Sequence, residues 1–335
     1  VRRSFAPLTI ERAAARAARI APHVSRRTSL LHVTAARLVL RVSRCAYRAA
    51  PSDDAPSDAA RRSPRVGATR LGFPRHAPLF CEHVSAPLEP SAFRLRAVHQ
   101  SFAYALGLKR REVLGAIDLE LARGRRLGLA GPNGSGKSTI LRLLAGVDRA
   151  RRGEVEVLGG SPADPSIRRR IGYLPEDSPF PRELGARAAL ELLAALQGMQ
   201  RAECRNRGDE LLERVGLADR ARTRLARFSR GMLRRFGLAQ AWLGAPELVL
   251  LDEPTAGLDA QGFEVLEDLL GEAHARGASL VIASHLPADI ETHCDKLAVI
   301  LDGAIAACGA PRELLREKTL LDLYRGLSAG ARSEA

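Results

Sequence analysis

The chain has 335 residues, 46% hydrophobic and 4% aromatic, enough apolar content for a substantial core in one large or two modest domains. Its five cysteines (Cys45, Cys81, Cys204, Cys294 and Cys308) form no Cys-x-x-Cys pair, which argues against a disulfide framework and a zinc site and fits a reducing compartment. The net charge of +14 suggests nucleic acid only until it is located: 16 arginines against 6 acidic residues precede residue 94, so the rest is close to balanced.

Residues 1–92 are rich in Arg, Ala, Ser and Pro, and stretches such as 11–19 and 51–64 show little sustained periodicity, so mostly disorder is expected. Residues 30–42 form one short amphipathic piece with helical spacing. Three readings of this segment stand side by side: a disordered basic arm, a targeting segment of the Arg-rich, acid-poor kind, and upstream sequence translated from an early start codon. Nothing catalytic is visible in it. No apolar run in the chain approaches the roughly 18 to 20 residues that cross a bilayer, so any membrane role is expected to come through a partner.

From Phe93 the pattern changes to alternating strands and helices of the α/β kind. Strands are expected at 94–99, 117–121, 126–130, 154–158, 170–174, 248–251, 280–283, 296–301 and 304–307. Between 187 and 243 the text is almost wholly helical and reads as an inserted helical subdomain, taken to begin near 177. Further helices are expected at 137–145, 260–276, 287–293 and 311–324.

After the strand at 126–130 comes Gly131-Pro132-Asn133-Gly134-Ser135-Gly136-Lys137-Ser138, followed by Thr139 and an apolar helix. A loop that wraps a polyphosphate points several backbone N–H groups at one anion, so Gly131, Gly134 and Gly136 stand where a Cβ would crowd phosphates or forbid the φ angle. Lys137 adds a point charge for the β- and γ-phosphates and Ser138 a hydroxyl for Mg²⁺, while the helix turns its positive end to the nucleotide. This is the Walker A arrangement.

The apolar run Leu248-Val249-Leu250-Leu251 ends in Asp252-Glu253, as a buried parallel strand delivering acids to the carboxyl edge of a sheet would. In this Walker B candidate Asp252 would hold Mg²⁺ and Glu253 would polarise the water that attacks the γ-phosphate.

With Pro254-Thr255-Ala256-Gly257-Leu258-Asp259 following, residues 93–325 resemble the ATP-binding subunit of an ABC transporter, in the single-cassette form found in ABC-2 exporters. The resemblance implies an α/β P-loop NTPase cassette over 93–315, with the helical insertion, an antiparallel β subdomain, and a C-terminal helix and tail at 316–335. It further implies that two cassettes pack head to tail, each ATP lying between the phosphate loop of one and a signature loop of the other. Phe228-Ser229-Arg230-Gly231-Met232 matches that loop, with Ser229 and the Gly231 amide facing the γ-phosphate. Asp259 matches the residue linking the two sites, His285 the switch histidine at the γ-phosphate, Tyr104 the ring stacked on adenine, and Glu176 a metal contact. Arg230 stands where the family has glycine, and Met232 and Glu176 where it has glutamine.

ATP and Mg²⁺ are the implied cofactors, and the implied partners are a second cassette, identical or homologous, and a separate transmembrane permease. The permease would select the exported molecule and hold this subunit at the inner, cytoplasmic face of the membrane. The competing reading is a soluble ABC-type ATPase acting on ribosomes or nucleic acid. Those relatives carry two cassettes or a long coiled-coil insertion, absent here, so no nucleic-acid partner is expected.

Overall fold

The computed structural model describes residues 90–104, 109–178, 180–315 and 320–333, with side chains for 90–102, 111–178, 180–315 and 320–327. The expectations for 1–89, the amphipathic piece included, lie outside the described residues.

All nine expected strands are present. β1 (Ser91–Tyr104), β2 (Lys109–Ala122) and β4 (Arg152–Val157) form a three-stranded antiparallel sheet in the order β2-β1-β4. β3 (Arg126–Ala130), β5 (Ile171–Leu174), β6 (Leu248–Asp252), β7 (Ser279–Ala283), β8 (Lys296–Leu301) and β9 (Ala304–Gly309) form a second sheet, ordered β5-β6-β7-β3-β8-β9. Its first five strands are parallel and β9 returns antiparallel to β8. Asp302 and Gly303, at φ 47° and 77°, make the left-handed pair that a two-residue hairpin turn requires.

β1 and β2 are longer than their alternation predicts. Ala97 sits at φ 47° within β1, and the β1–β2 register shifts between Leu95 and Val98, so the hydrophobic period breaks where the pairing continues. β6 and β7 are buried at every position, as central parallel strands covered on both faces must be. Alternate side chains serve two cores. Val249, Leu251, Leu280 and Ile282 face one that includes Phe236 and Trp242. Leu248, Leu250, Val281 and Ala283 face another that includes Phe93, Ile117 and Ile140.

The helices are α1 (Lys137–Leu144), α2 (Pro165–Arg168), α3 (Ala186–Leu196), α4 (Arg201–Arg214), α5 (Arg230–Ala241), α6 (Ala260–Ala275), α7 (Pro287–His293), α8 (Pro311–Leu315) and α9 (Leu320–Ser333). α3, α4 and α5, with short 3₁₀ turns at Ala218–Arg220 and Leu225–Arg227, occupy the helical stretch between β5 and β6. Arg187 of α3 pairs with Asp209 of α4. Arg207 closes the end of α5 by donating to the carbonyls of Trp242 (2.9 Å) and Leu243 (3.3 Å). The helix expected at 311–324 is described in two parts, α8 and α9, and 316–319 between them lie outside the described residues.

Candidate functional site

Strand order decides what meets at the sheet edge. β6, β7 and β3 are consecutive neighbours and parallel, so the residues following their carboxyl ends lie side by side: Glu253, then Ser284 and His285, then the loop beginning at Gly131. This is where an open α/β sheet binds ligands.

The 131–136 loop is held from beneath. A Cβ on Gly131 would lie 2.3 Å from the Ile300 carbonyl oxygen, so only glycine passes this point. Gly136, at φ 114°, caps α1, and a Cβ there would lie 2.5 Å from Leu114 Cδ2. Pro132, Asn133 and Gly134 are exposed, Ser135, Gly136, Lys137 and Thr139 are buried, and Ser138 is half-buried. The Lys137 ammonium folds back over the loop, donating to the carbonyls of Gly131 (2.7 Å) and Pro132 (3.3 Å). Burial pulls its pKa down, against the opposing pull of Glu253, Asp252 and Glu176.

Asp252 is 2% exposed. Burial pushes its carboxyl up, a hydrogen bond from Ser138 pulls it down, and Glu176 and Glu253 add like charge. Its Oδ1 is buried with no hydrogen-bond partner, as is Ser135 Oγ. An ionised carboxylate at that depth needs a counter-charge.

Glu253 is 8% exposed and takes φ 49°, left-handed backbone that a residue with a Cβ adopts only under constraint. Its amide donates to the Ala283 carbonyl at 2.8 Å, and its Oε2 lies 2.7 Å from His285 Nδ1. The ring of His285 is 61% exposed, so one side grips the carboxylate and the other faces solvent. Asp289 of α7 steadies the histidine loop by accepting from Ser284 Oγ (2.7 Å) and Thr255 Oγ1 (2.9 Å), and Ser284 Oγ accepts from the Leu286 amide (3.0 Å).

Ser229, Gly231 and Asp259 come together in a second group. Ser229 caps α5, accepting from the Met232 amide at 3.2 Å, and Asp259 caps α6, accepting from the Gly262 amide at 2.8 Å. A Cβ on Gly231 would stand 3.5 Å from the Gly257 carbonyl oxygen and 3.7 Å from Asp259 Oδ2, so the two caps adjoin. With Ser229 as its cap, α5 starts at Arg230. Arg230 lies across Gly257, its Nε 3.1 Å from where a Cβ there would be. Arg235 reaches Asp259 at 3.6 Å.

Glu176 is exposed, and its carboxylate acts on Lys137 and Asp252 through its field. Tyr104 is the last residue of β1, and its side chain lies outside the described residues.

Two residues escape a sequence reading: Asp289, and Arg234, a buried arginine bonded to the main chain around both Glu176 and Glu253. Among 52 Lys and Arg residues no local signal sets Arg234 apart; only its place soon after the cap Ser229 marks the helix it belongs to.

Residues 114–256 match the family model described as ABC transporter. An ABC transporter ATP-binding protein of Nostoc sp. is 38% identical over 204 residues, which are 60% of this chain and 61% of that relative. The match thus spans about three fifths of that relative's length. The Nod factor export ATP-binding protein I of Rhizobium johnstonii is 32% identical over 247 residues, 72% of this chain and 78% of that protein. A solved dimeric ATP-binding cassette, MJ0796 in a post-hydrolysis state bound to ADP and Pi, superposes with a TM-score of 0.60 at 25% identity, over 66% of this chain and 99% of its own. With the parallel sheet, the glycine loop before α1 and the acids after β6 in place, these likenesses give the family: the chain belongs to the ATP-binding proteins of ABC transporters.

Proposed function

We propose that the chain binds ATP at the 131–139 loop and hydrolyses it as the energising subunit of an ABC exporter. The observation that carries the hydrolytic reading is the 2.7 Å contact between Glu253 and His285, at the carboxyl ends of β6 and of its neighbour β7, which lies beside β3, the strand that leads into the 131–139 loop. The loop amides and Lys137 hold the β- and γ-phosphates, and Glu253 orients and polarises a water for in-line attack on the γ-phosphorus as the bond to the bridging oxygen breaks. His285 holds the Glu253 carboxylate and offers its exposed edge to the γ-phosphate.

Ser138 and Asp252 are the residues that would hold Mg²⁺, with Glu176 beside them. The fit rests on the unpartnered, buried Asp252 Oδ1 and on a donor set of oxygens, which suits a hard cation. When bound, the ion neutralises charge on the β- and γ-phosphates.

The cap at Ser229 and the N-terminus of α5, with Gly231, form the surface that meets the nucleotide of a second cassette, and Asp259 adjoins it. The dimer of the MJ0796 cassette supports this pairing. Tyr104 is the candidate for stacking on adenine. Among the described residues no helix is long and apolar enough to cross a membrane. The proposed transport partner is a separate permease, and the Nod factor export relative supports the outward direction.

Glu253→Gln in the full chain tests the reading. It is expected to bind ATP, to hydrolyse it about a hundredfold or more slowly, and to elute as a dimer with Mg²⁺ and ATP in light scattering. Hydrolysis at the wild-type rate would place the base elsewhere, and a persistent monomer would remove the paired cassette. Salt-sensitive nucleic-acid binding that survives deletion of residues 1–92 would overturn the exporter assignment.

A further inference from the structure

We propose that Arg234 is a positioning residue for ATP hydrolysis: one buried guanidinium locks α5 to the main chain of Asp252 and Glu253 and so sets the angle at which Glu253 is presented.

Arg234 lies in α5, is 7% exposed, and spends its hydrogen bonds on backbone carbonyls of two segments. Nη1 donates to Pro175 (2.7 Å) and Glu176 (3.1 Å), in the loop after β5. Nη2 donates to Asp252 (2.6 Å) and Glu253 (2.6 Å), and Nε lies 3.5 Å from the Pro254 carbonyl. Burial lowers the pKa of its guanidinium, and the carboxylates of Asp252, Glu176 and Glu253 act to raise it, so the cation is retained at depth by the site it serves.

The position of these bonds gives them their purpose. Glu253 is held at φ 49°, which persists only when its surroundings over-determine it. Its peptide is pinned on one side by the amide bond to Ala283 and on the other by Arg234 at its carbonyl. With both sides fixed, the carboxylate projects to His285 and not along the extended path that an unconstrained glutamate would take. The same fork reaches Glu176, so a displacement of α5 relative to the sheet arrives at both acids at once. A planar fork of five donors spans two segments; the compact ammonium of a lysine does not.

The inference rests on the reading of Glu253 as the group that activates water, and the test separates the two. Arg234→Lys, Arg234→Gln, Glu253→Gln and Arg207→Lys are made in the full chain, and kcat, KM for MgATP and melting temperature are measured. Arg207 is the control, an arginine that closes the other end of α5 through carbonyls and whose acidic partner is Glu210 of its own helix, not Asp252, Glu253 or Glu176. Both Arg234 variants are expected to fold, to keep KM within about threefold and to lose at least about tenfold in kcat, whereas Arg207→Lys melts lower at unchanged kcat. Wild-type kcat in a folded Arg234→Lys or Arg234→Gln, with Glu253→Gln stalled, overturns the positioning role alone. Wild-type kcat in Glu253→Gln overturns the reading beneath it. Equal losses in KM and kcat, a matching kcat loss in Arg207→Lys, or failure of both Arg234 variants to fold would assign Arg234 a structural part only.

Discussion

Glu253 is fastened to the His285 loop at two points, through its amide to the Ala283 carbonyl at 2.8 Å and through its carboxylate to the histidine Nδ1 at 2.7 Å. The first contact continues the β6–β7 ladder, in which Asp252 already pairs with Ala283. The second leaves the ladder and brings the carboxylate to the imidazole ring. A regular ladder position would point the Glu253 side chain out to one face of the sheet, and the left-handed turn re-aims it.

Glu253→Gly is expected to separate strain from function. Glycine accepts φ 49° freely and recovers about 1 kcal/mol, offset by its larger unfolded-state entropy and the lost histidine contact, so unfolding free energy stays within about 1 kcal/mol of wild type. ATP turnover falls about a hundredfold or more. Urea unfolding with a phosphate-release assay checks both; a large loss of stability would show the turn is not strained.

Asp252→Asn removes a buried charge while keeping an acceptor for Ser138. The nucleotide-free variant is expected to melt at or above the wild-type temperature, because the desolvation that pushes the carboxyl up is no longer opposed to folding. The extra stabilisation that Mg²⁺ adds to ATP-bound protein, measured against EDTA, is expected to vanish. A variant that still responds to Mg²⁺ would take Asp252 out of the metal site.

Ser229 has a capping duty and a proposed role across the dimer, and two substitutions part them. Ser229→Ala loses the bond from the Met232 amide and about 1 kcal/mol of stability. Ser229→Asp keeps the cap but sets a carboxylate where a γ-phosphate would approach. In the Glu253→Gln background it is expected to keep its melting temperature and lose the ATP-dependent dimer, read by light scattering. Dimerisation of Ser229→Asp would place the interface elsewhere.

Asp295 carries a pH dependence. It accepts from the Arg126 side chain (2.7 and 3.3 Å) and amide (3.1 Å), joining the starts of β3 and β8. The Arg126 hydrogen bonds hold its carboxyl below the ordinary Asp value. Its folded pKa is depressed, so its contribution is complete above the unfolded value near 4 and is lost as pH falls through the folded one. Wild type and Asp295→Asn are therefore expected to differ in unfolding free energy at pH 6 and to converge toward pH 2 in denaturant titrations; a difference that is constant with pH would contradict this linkage.

The glycine loop before α1, the acids at the end of β6, the place of His285 after β7 and the positions of the strands are legible in the chain because each depends on neighbours a few residues away. Glycine spacing determines where a backbone approaches an anion, and unbroken apolar runs determine which strands are buried on both faces. The extent of β1 and β2 is not legible, since the bulge at Ala97 interrupts the alternation that would announce them.

Tertiary structure alone decided the rest. The order β6-β7-β3 puts Glu253, His285 and the phosphate loop at one edge, although Glu253 and His285 are 32 residues apart in the chain. Arg234 meets the Pro175 carbonyl across 59 residues and that of Glu253 across 19, and those acceptors belong to the backbone, which every residue has. Side-chain chemistry is written in the sequence, but a partner that is a main-chain oxygen carries no letter of its own, and only the fold says which one an arginine will find.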